Sequence, residues 1–211
     1  MYKLLSATPS PYARKVRILL HEKAIPFDLV TEVPWNRDAR APSHNPLGKI
    51  PVLILPDGNS VYESSLICDW LSAHHPTPSL GLETAPDRLD MRRYEVLADG
   101  ICDALVLMFL ENQRAKSMRS QAWFDRQNGK VSRGLAALET MVADGPFANG
   151  PEFSFADIAC GAALGYLALR WPDHPWRVHH PRLAALSQRL EQRPSFRETQ
   201  PSAQTLRDKV V

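Results

Sequence analysis

The chain has 211 residues, 44% hydrophobic and 23% charged, with a formal net charge of +2. That is enough for one large domain or two small ones around a real core. The weak charge, with Lys and Arg scattered, excludes any strong expectation of nucleic acid or an anionic membrane as partner.

Tyr2 to Ser6 reads as a first strand and Tyr12 to Lys23 as a helix, with Val16, Leu19 and Leu20 at helical spacing. Phe27 to Val33 reads as a second strand. Residues 34 to 49 carry three prolines and a glycine, which predicts a loop with a short irregular helix. "IPVLILPDGNSVYES" then reads as a hairpin turning at Asp57-Gly58, and Ser64 to His74 as a second helix. The order βαβ, loop, ββα predicts a small mixed sheet, its first two strands parallel through a right-handed crossover. Residues 75 to 86, with Pro76, Pro78, Gly81 and Pro86, read as a linker.

Strand patterning stops after the linker. Asp87 to Arg114 reads as one long helix, apolar at Leu97, Ile101, Leu105 and Met108. Ala122 to Ala143 follows, with Val131, Leu135 and Leu138 inward, then Ser154 to Arg170 and Arg182 to Gln192. This half is predicted to be an all-α bundle. Ser154 and Asp157 have capping-box spacing, a stability element rather than a catalytic one. Gly161 to Gly165 is rich in small residues, so a neighbouring helix can come close.

Cys68, Cys102 and Cys160 are far apart in apolar segments, which fits a reducing cytosol better than a disulfide framework. No close Cys/His pairing predicts a metal site. "MYKLLS" has no basic stretch leading into a long apolar one, so no secretion leader is expected, and no run approaches a membrane span of about 18 residues. A cytoplasmic protein is the expectation.

Ser10-Pro11 stands at the start of the first helix. Pro suits the first helical position, and a Ser cap accepts an orphan N–H, contributing about 1 kcal/mol. That reading is complete in itself. A second remains open: the capped hydroxyl still has a proton to donate outward, beside the positive end of the helix dipole. A thiolate placed there is favoured. Lowering a thiol pKa of about 8.5 by two units takes about 2.7 kcal/mol, which a hydrogen bond and a helix terminus can supply together.

The strand followed by "SPYA", then "NPLGKIPVL" and "YESSLICDWL", resembles the thioredoxin-like domain of a cytosolic glutathione S-transferase, a bacterial member with serine at the active-site position. The helical half resembles that family's C-terminal domain. The resemblance implies an α/β thioredoxin-like domain over residues 1–80 and an all-helical domain over 86–211 that forms the electrophile site. It places the catalytic position on Ser10, with Thr8 and Tyr12 as nearby hydroxyls that could share or take the role. Ser10 and Ala13 stand where redox relatives carry cysteines. A chain without a thiolate there forms no mixed disulfide, which favours transfer over thiol-disulfide reduction.

The resemblance further implies a cis peptide before Pro51, with the Ile50 backbone pairing to the cysteinyl part of glutathione like an added strand. Glu63 and Ser64 would hold the γ-glutamyl group, anion at the helix start and ammonium at the acid. Lys49 is favoured for the glycyl carboxylate, with Arg37, Arg40 and His44 as alternatives. Tyr12, Trp35, Met108 and Glu111, joined by Leu107, Arg114 and Trp123, are candidates for the electrophile pocket, though the same set would equally fill a core. The implied activity is glutathione transfer to a small electrophile, with no metal. The alternatives are a glutathione-dependent isomerase and a non-catalytic binding module. A homodimer is expected, with Asp99 or Asp103 as candidates to reach the partner's γ-glutamyl group.

Overall fold

The computed structural model describes residues 1–82 and 84–208. Four strands form one mixed sheet in the order β2-β1-β3-β4: β1 Tyr2–Ser6, β2 Phe27–Thr31, β3 Val52–Ile54 and β4 Ser60–Val61. β1 runs parallel to β2, with Tyr2 opposite Phe27 and Ser6 opposite Thr31. It runs antiparallel to β3, with Leu5 opposite Val52, and β3 runs antiparallel to β4, with Leu53 opposite Val61. The β3–β4 strands are shorter than the predicted hairpin because the Asp57-Gly58 turn is broad. Gly58 takes a φ of 91°, open to glycine without strain, and the Asp57 carboxylate holds the Asn59 N–H at 3.0 Å.

Helix α1, Pro11–Glu22, connects β1 to β2, and α2, Ser64–His74, follows β4. The helical half is α3 Ala85–Gln113, α4 Gln121–Met141, α5 Phe155–Arg170, α6 Trp176–His179, α7 Pro181–Leu190 and α8 Pro194–Glu198. The two short helices α6 and α8 carry too few turns to show periodicity in the sequence. α8 is fastened to the end of α1: Arg193 pairs with Glu22 at 2.8 Å, and the Ser195 hydroxyl donates to the same carboxylate.

One apolar core runs through both halves, from Leu4, Leu19 and Leu53 under the sheet to Leu135, Leu167, Trp176 and Phe196 among the helices. α5 is central to it. The small residues expected to admit a neighbour do so: a Cβ at Gly161 would run into the Phe196 ring, and one at Gly165 into the Arg14 guanidinium. The Ser154–Asp157 capping box forms, with both Ser154 N–H and hydroxyl donating to Asp157 Oδ2, while Asp157 Oδ1 takes the Ala148 N–H at 2.7 Å. It ties the loop before α5 to the helix start.

Candidate functional site

Sheet topology brings four loops to one end. β1 and β2 end there, β3 begins there, and β4, antiparallel to β3, ends there again. The loops that emerge carry Ser10, Trp35, Ile50-Pro51 and Glu63-Ser64. Pro51, one residue before the Leu5–Val52 pair, falls beside Ser6 and the loop to Ser10. Residues distant in the chain are thus neighbours through strand register alone.

Ser10 is the N-cap of α1. Its φ and ψ of −68° and 119° are extended, its Oγ accepts the Ala13 N–H at 3.2 Å, and Pro11 follows. The hydroxyl proton is not committed to any acceptor among the described residues. Its two neighbours differ. Thr8 Oγ1 donates to the Ser202 carbonyl at 2.8 Å. The Tyr12 hydroxyl donates to Asp103, and its phenol is pushed far up, by burial above all and then by Cys102, Asp103 and Asp99 beside it. Both of these protons are already engaged, so Ser10 is the hydroxyl left to donate.

The Ile50-Pro51 peptide is cis. The loop before it is built on buried Asn45, whose Nδ2 donates to the Lys49 carbonyl at 2.9 Å and whose Oδ1 accepts the Leu47 N–H at 3.0 Å. Lys49 itself is exposed. The alternatives to it stand differently: His44 Nδ1 is 3.2 Å from Ser60 Oγ, Arg37 and Arg40 are exposed, and the N–H groups of Arg40 and Ala41 are held by the Glu32 carboxylate.

Glu63, not Ser64, caps α2. Its Oε1 accepts the Ser65 and Leu66 N–H groups at 3.0 and 3.1 Å, so an anion already occupies part of that helix start. Ser64 is the first helical residue and is buried. Ser65 faces away, donating to Glu95 Oε1 at 2.9 Å.

That bond belongs to a buried charge network joining α1, α2 and α3. Lys15 Nζ lies 2.6 Å from Glu95 and 2.7 Å from Asp99, with Lys15 only 1% exposed. Arg92 pairs with Glu95 and with Asp69 of α2. Burial disfavours the Lys15 ammonium, but Asp99 and Glu95 outweigh it and hold its pKa high. Burial also works against Glu95, whose pKa nevertheless stays low because Lys15 and Arg92 flank it. Asp99 is pushed up to about 6 by burial that Lys15 only partly offsets. Residues 95, 99 and 103 thus line one face of α3 toward α1, and within this chain Asp99 and Asp103 find partners in Lys15 and Tyr12.

Two of the residues expected on the far wall are buried. Met108 is 2% exposed and packs in the helical core. Glu111 is buried too: its Oε1 accepts the Ser120 N–H ahead of α4, and Arg114 sits 3.4 Å from its other oxygen. Both side chains are taken up by contacts within the helical half. The α3 residue that meets Trp35 is Phe109, its ring stacked at 5.9 Å and 19°. The Arg170 guanidinium lies over the other residues of this cluster, 3.9 Å from the Phe109 centroid and 5.6 Å from that of Tyr166. Tyr12 rests on a patch of small side chains, Ala98, Cys102, Ala159 and Ala163. Trp123, on the first turn of α4, is 41% exposed.

The segment after α8 returns over the same loops. Besides the Thr8–Ser202 bond, Arg207 pairs with Asp38 at 2.7 Å and its N–H donates to Asn36, while the Arg37 N–H donates to Asp208. The three cysteines are free and buried, their thiols pushed up by burial, so none offers a thiolate. Among the described residues no cluster of three or more His, Cys, Asp or Glu side chains could hold a metal, and no helix is long and apolar enough to cross a membrane.

A mixed four-stranded sheet with a capped serine at the first helix, a cis-proline strand and a helical second half defines a class, and comparison with known proteins agrees. A family model described as the glutathione S-transferase N-terminal domain matches residues 9–74, and one described as its C-terminal domain matches residues 121–189. The chain belongs to the glutathione S-transferase family. It is similar to the GST-like protein YibF of Escherichia coli, 35% identical over 94% of this chain and 98% of that one. Among solved structures, it is similar to a glutathione S-transferase of Methylobacterium radiotolerans in complex with glutathione sulfonate, 54% identical, TM-score 0.96, covering 100% of this chain and 99% of the other. A glutathione S-transferase of Methylobacillus flagellatus with glutathione bound is 40% identical, TM-score 0.92, covering 96% of this chain and all of the other.

Proposed function

We propose that the protein binds glutathione across the end of the sheet, stabilises its thiolate at Ser10, and transfers it to a small electrophile. The observation that carries this reading is the state of three hydroxyls: Thr8 and Tyr12 have their protons engaged, and Ser10 does not. The relatives solved with glutathione sulfonate (Methylobacterium) and with glutathione (Methylobacillus) support the choice of thiol.

In this reading the Ile50 backbone pairs with the cysteinyl unit, Ser64 and the second oxygen of Glu63 hold the γ-glutamyl carboxylate and ammonium, and Lys49 faces the glycyl carboxylate. The thiol proton leaves to solvent. Ser10 then donates to the sulfur, and the positive end of α1 adds to the preference for the anion. The sulfur attacks the electrophile, which lies against Tyr12, Trp35 and Phe109. Residues 1–80 act as the glutathione domain and 86–211 supply the electrophile wall. The protein works in the cytoplasm as a homodimer, with the exposed Leu89 and Val96 on one face of α3 as part of the contact.

The test is turnover of 1-chloro-2,4-dinitrobenzene with glutathione, wild type against Ser10→Ala. The expected result is an active wild type and a variant about 10- to 100-fold slower at neutral pH, matching the loss of one hydrogen bond to a charged sulfur. A variant with the full wild-type rate removes Ser10 from the chemistry.

A further inference from the structure

We infer that Arg170 selects electrophiles that carry a carboxylate on a planar, apolar body, an inference that rests on the transferase reading above. Arg170 ends α5. Its guanidinium is laid 3.9 Å from the centre of the Phe109 ring, which is itself stacked on Trp35 from the opposite half of the molecule. Among the described residues no carboxylate lies within ion-pair distance of Arg170, and its Nε has no hydrogen-bond partner. The contrast with other arginines that join elements is plain: Arg14 meets Glu191, Arg92 meets Glu95 and Asp69, and Arg193 meets Glu22. The phenol of Tyr166 is raised by burial, and Arg170 beside it opposes that shift through its charge and through a hydrogen bond to the phenol, a neutral partner that leaves the guanidinium charge uncompensated.

Position argues for substrate as the missing anion. Tyr12, two residues past Ser10, sits on Cys102 of α3 and Ala163 of α5. Phe109 and Arg170 each lie seven residues further along those same helices, about 10 Å by the rise of an α-helix. The cation therefore stands about that far from the Tyr12 end of the site, the length of one aromatic substrate. A guanidinium laid flat on a ring leaves the in-plane N–H groups of its terminal nitrogens to make two parallel bonds to a carboxylate. The faces of Trp35 and Phe109 supply apolar contact for the body between.

The probe pair is 4-chloro-3,5-dinitrobenzoate and its methyl ester, which share one reacting carbon and differ in one charge. In both, the glutathione S–H proton goes to solvent, a C–S bond forms at the chlorinated carbon, the C–Cl bond breaks and chloride leaves with the electron pair. The readout is the carboxylate-to-ester ratio of kcat/KM at saturating glutathione. Arg170→Met should lower that ratio about 10- to 100-fold, the usual worth of a charge-assisted bond. Arg170→Lys, which keeps the charge but not the planar fork, should fall between the wild-type ratio and that of Arg170→Met. An unchanged ratio in Arg170→Met overturns the inference, and so does a rise in the KM for glutathione alone, which would assign Arg170 to the glycyl carboxylate. Calorimetric binding of the two preformed conjugates reads the same discrimination without turnover. An inactive wild type that still binds the acid conjugate more tightly through Arg170 would sink the transferase reading and leave this one standing. Active turnover of both electrophiles with no discrimination would do the reverse.

Discussion

Replacing Lys15 with methionine removes the only cation among the described residues that touches both Glu95 and Asp99. The three side chains are 1%, 3% and 25% exposed, and the ammonium lies 2.6 and 2.7 Å from the two acids. Breaking such a buried pair by removing one partner costs about 3–5 kcal/mol, because the remaining charge loses its compensation without regaining water. For a chain of this size that corresponds to a fall in Tm of about 6–20 °C. Thermal and urea unfolding followed by circular dichroism measure it. The loss depends on pH. Asp99 already has its pKa pushed up to about 6, and without Lys15 it rises further. A carboxyl whose folded pKa is raised contributes stability that is present below its unfolded value of about 4 and lost as pH rises through the folded one. The variant's deficit should therefore be smaller at pH 5 than at pH 8. Adding Glu95→Gln and Asp99→Asn to Lys15→Met should recover a large part of the stability, since no buried charge is then left without its partner. A deficit under about 1 kcal/mol, or one that grows on acidification, would refute the reasoning.

Tyr12→Phe should leave the pKa of bound glutathione within about 0.3 units of wild type, because the phenol proton belongs to Asp103; titration of the thiolate absorbance checks it. Gly161→Ala should destabilise the fold by about 1–3 kcal/mol in urea unfolding, since the new methyl meets the Phe196 ring. Asp157→Ala should also destabilise, by about 1–3 kcal/mol, by leaving the Ala148 N–H buried without an acceptor. The thiolate pKa in the folded fraction should not move, which separates its role from that of Ser10.

Much of the sheet half was legible because its signals are local. Proline at a helix start, Asp-Gly at a turn and alternating apolar residues each fix backbone shape over a few residues. What escaped was set by packing between distant segments. The burial of Lys15 has no local signal, because the acids that receive it lie 80 and 84 residues away on α3. Met108 and Phe109 differ by one position, or about 100° around the helix. α3 is apolar toward α4 and also toward Trp35, so periodicity alone could not assign the two faces. Glu63 was read as a partner for an ammonium; its spacing two and three residues before Ser65 and Leu66 N–H groups also makes it a cap, and the structure uses that. Nothing local marks Arg170, and only the fold brings Phe109 beneath it.

The most direct measurement is the thiolate titration of enzyme-bound glutathione, followed by ultraviolet absorbance in wild type and Ser10→Ala. A side-chain hydroxyl donating to a charged sulfur contributes about 1.5–3 kcal/mol, or one to two pKa units. The account predicts a wild-type value well below that of the free thiol and a variant shifted back upward by about that amount. Equal values in the two proteins would contradict it.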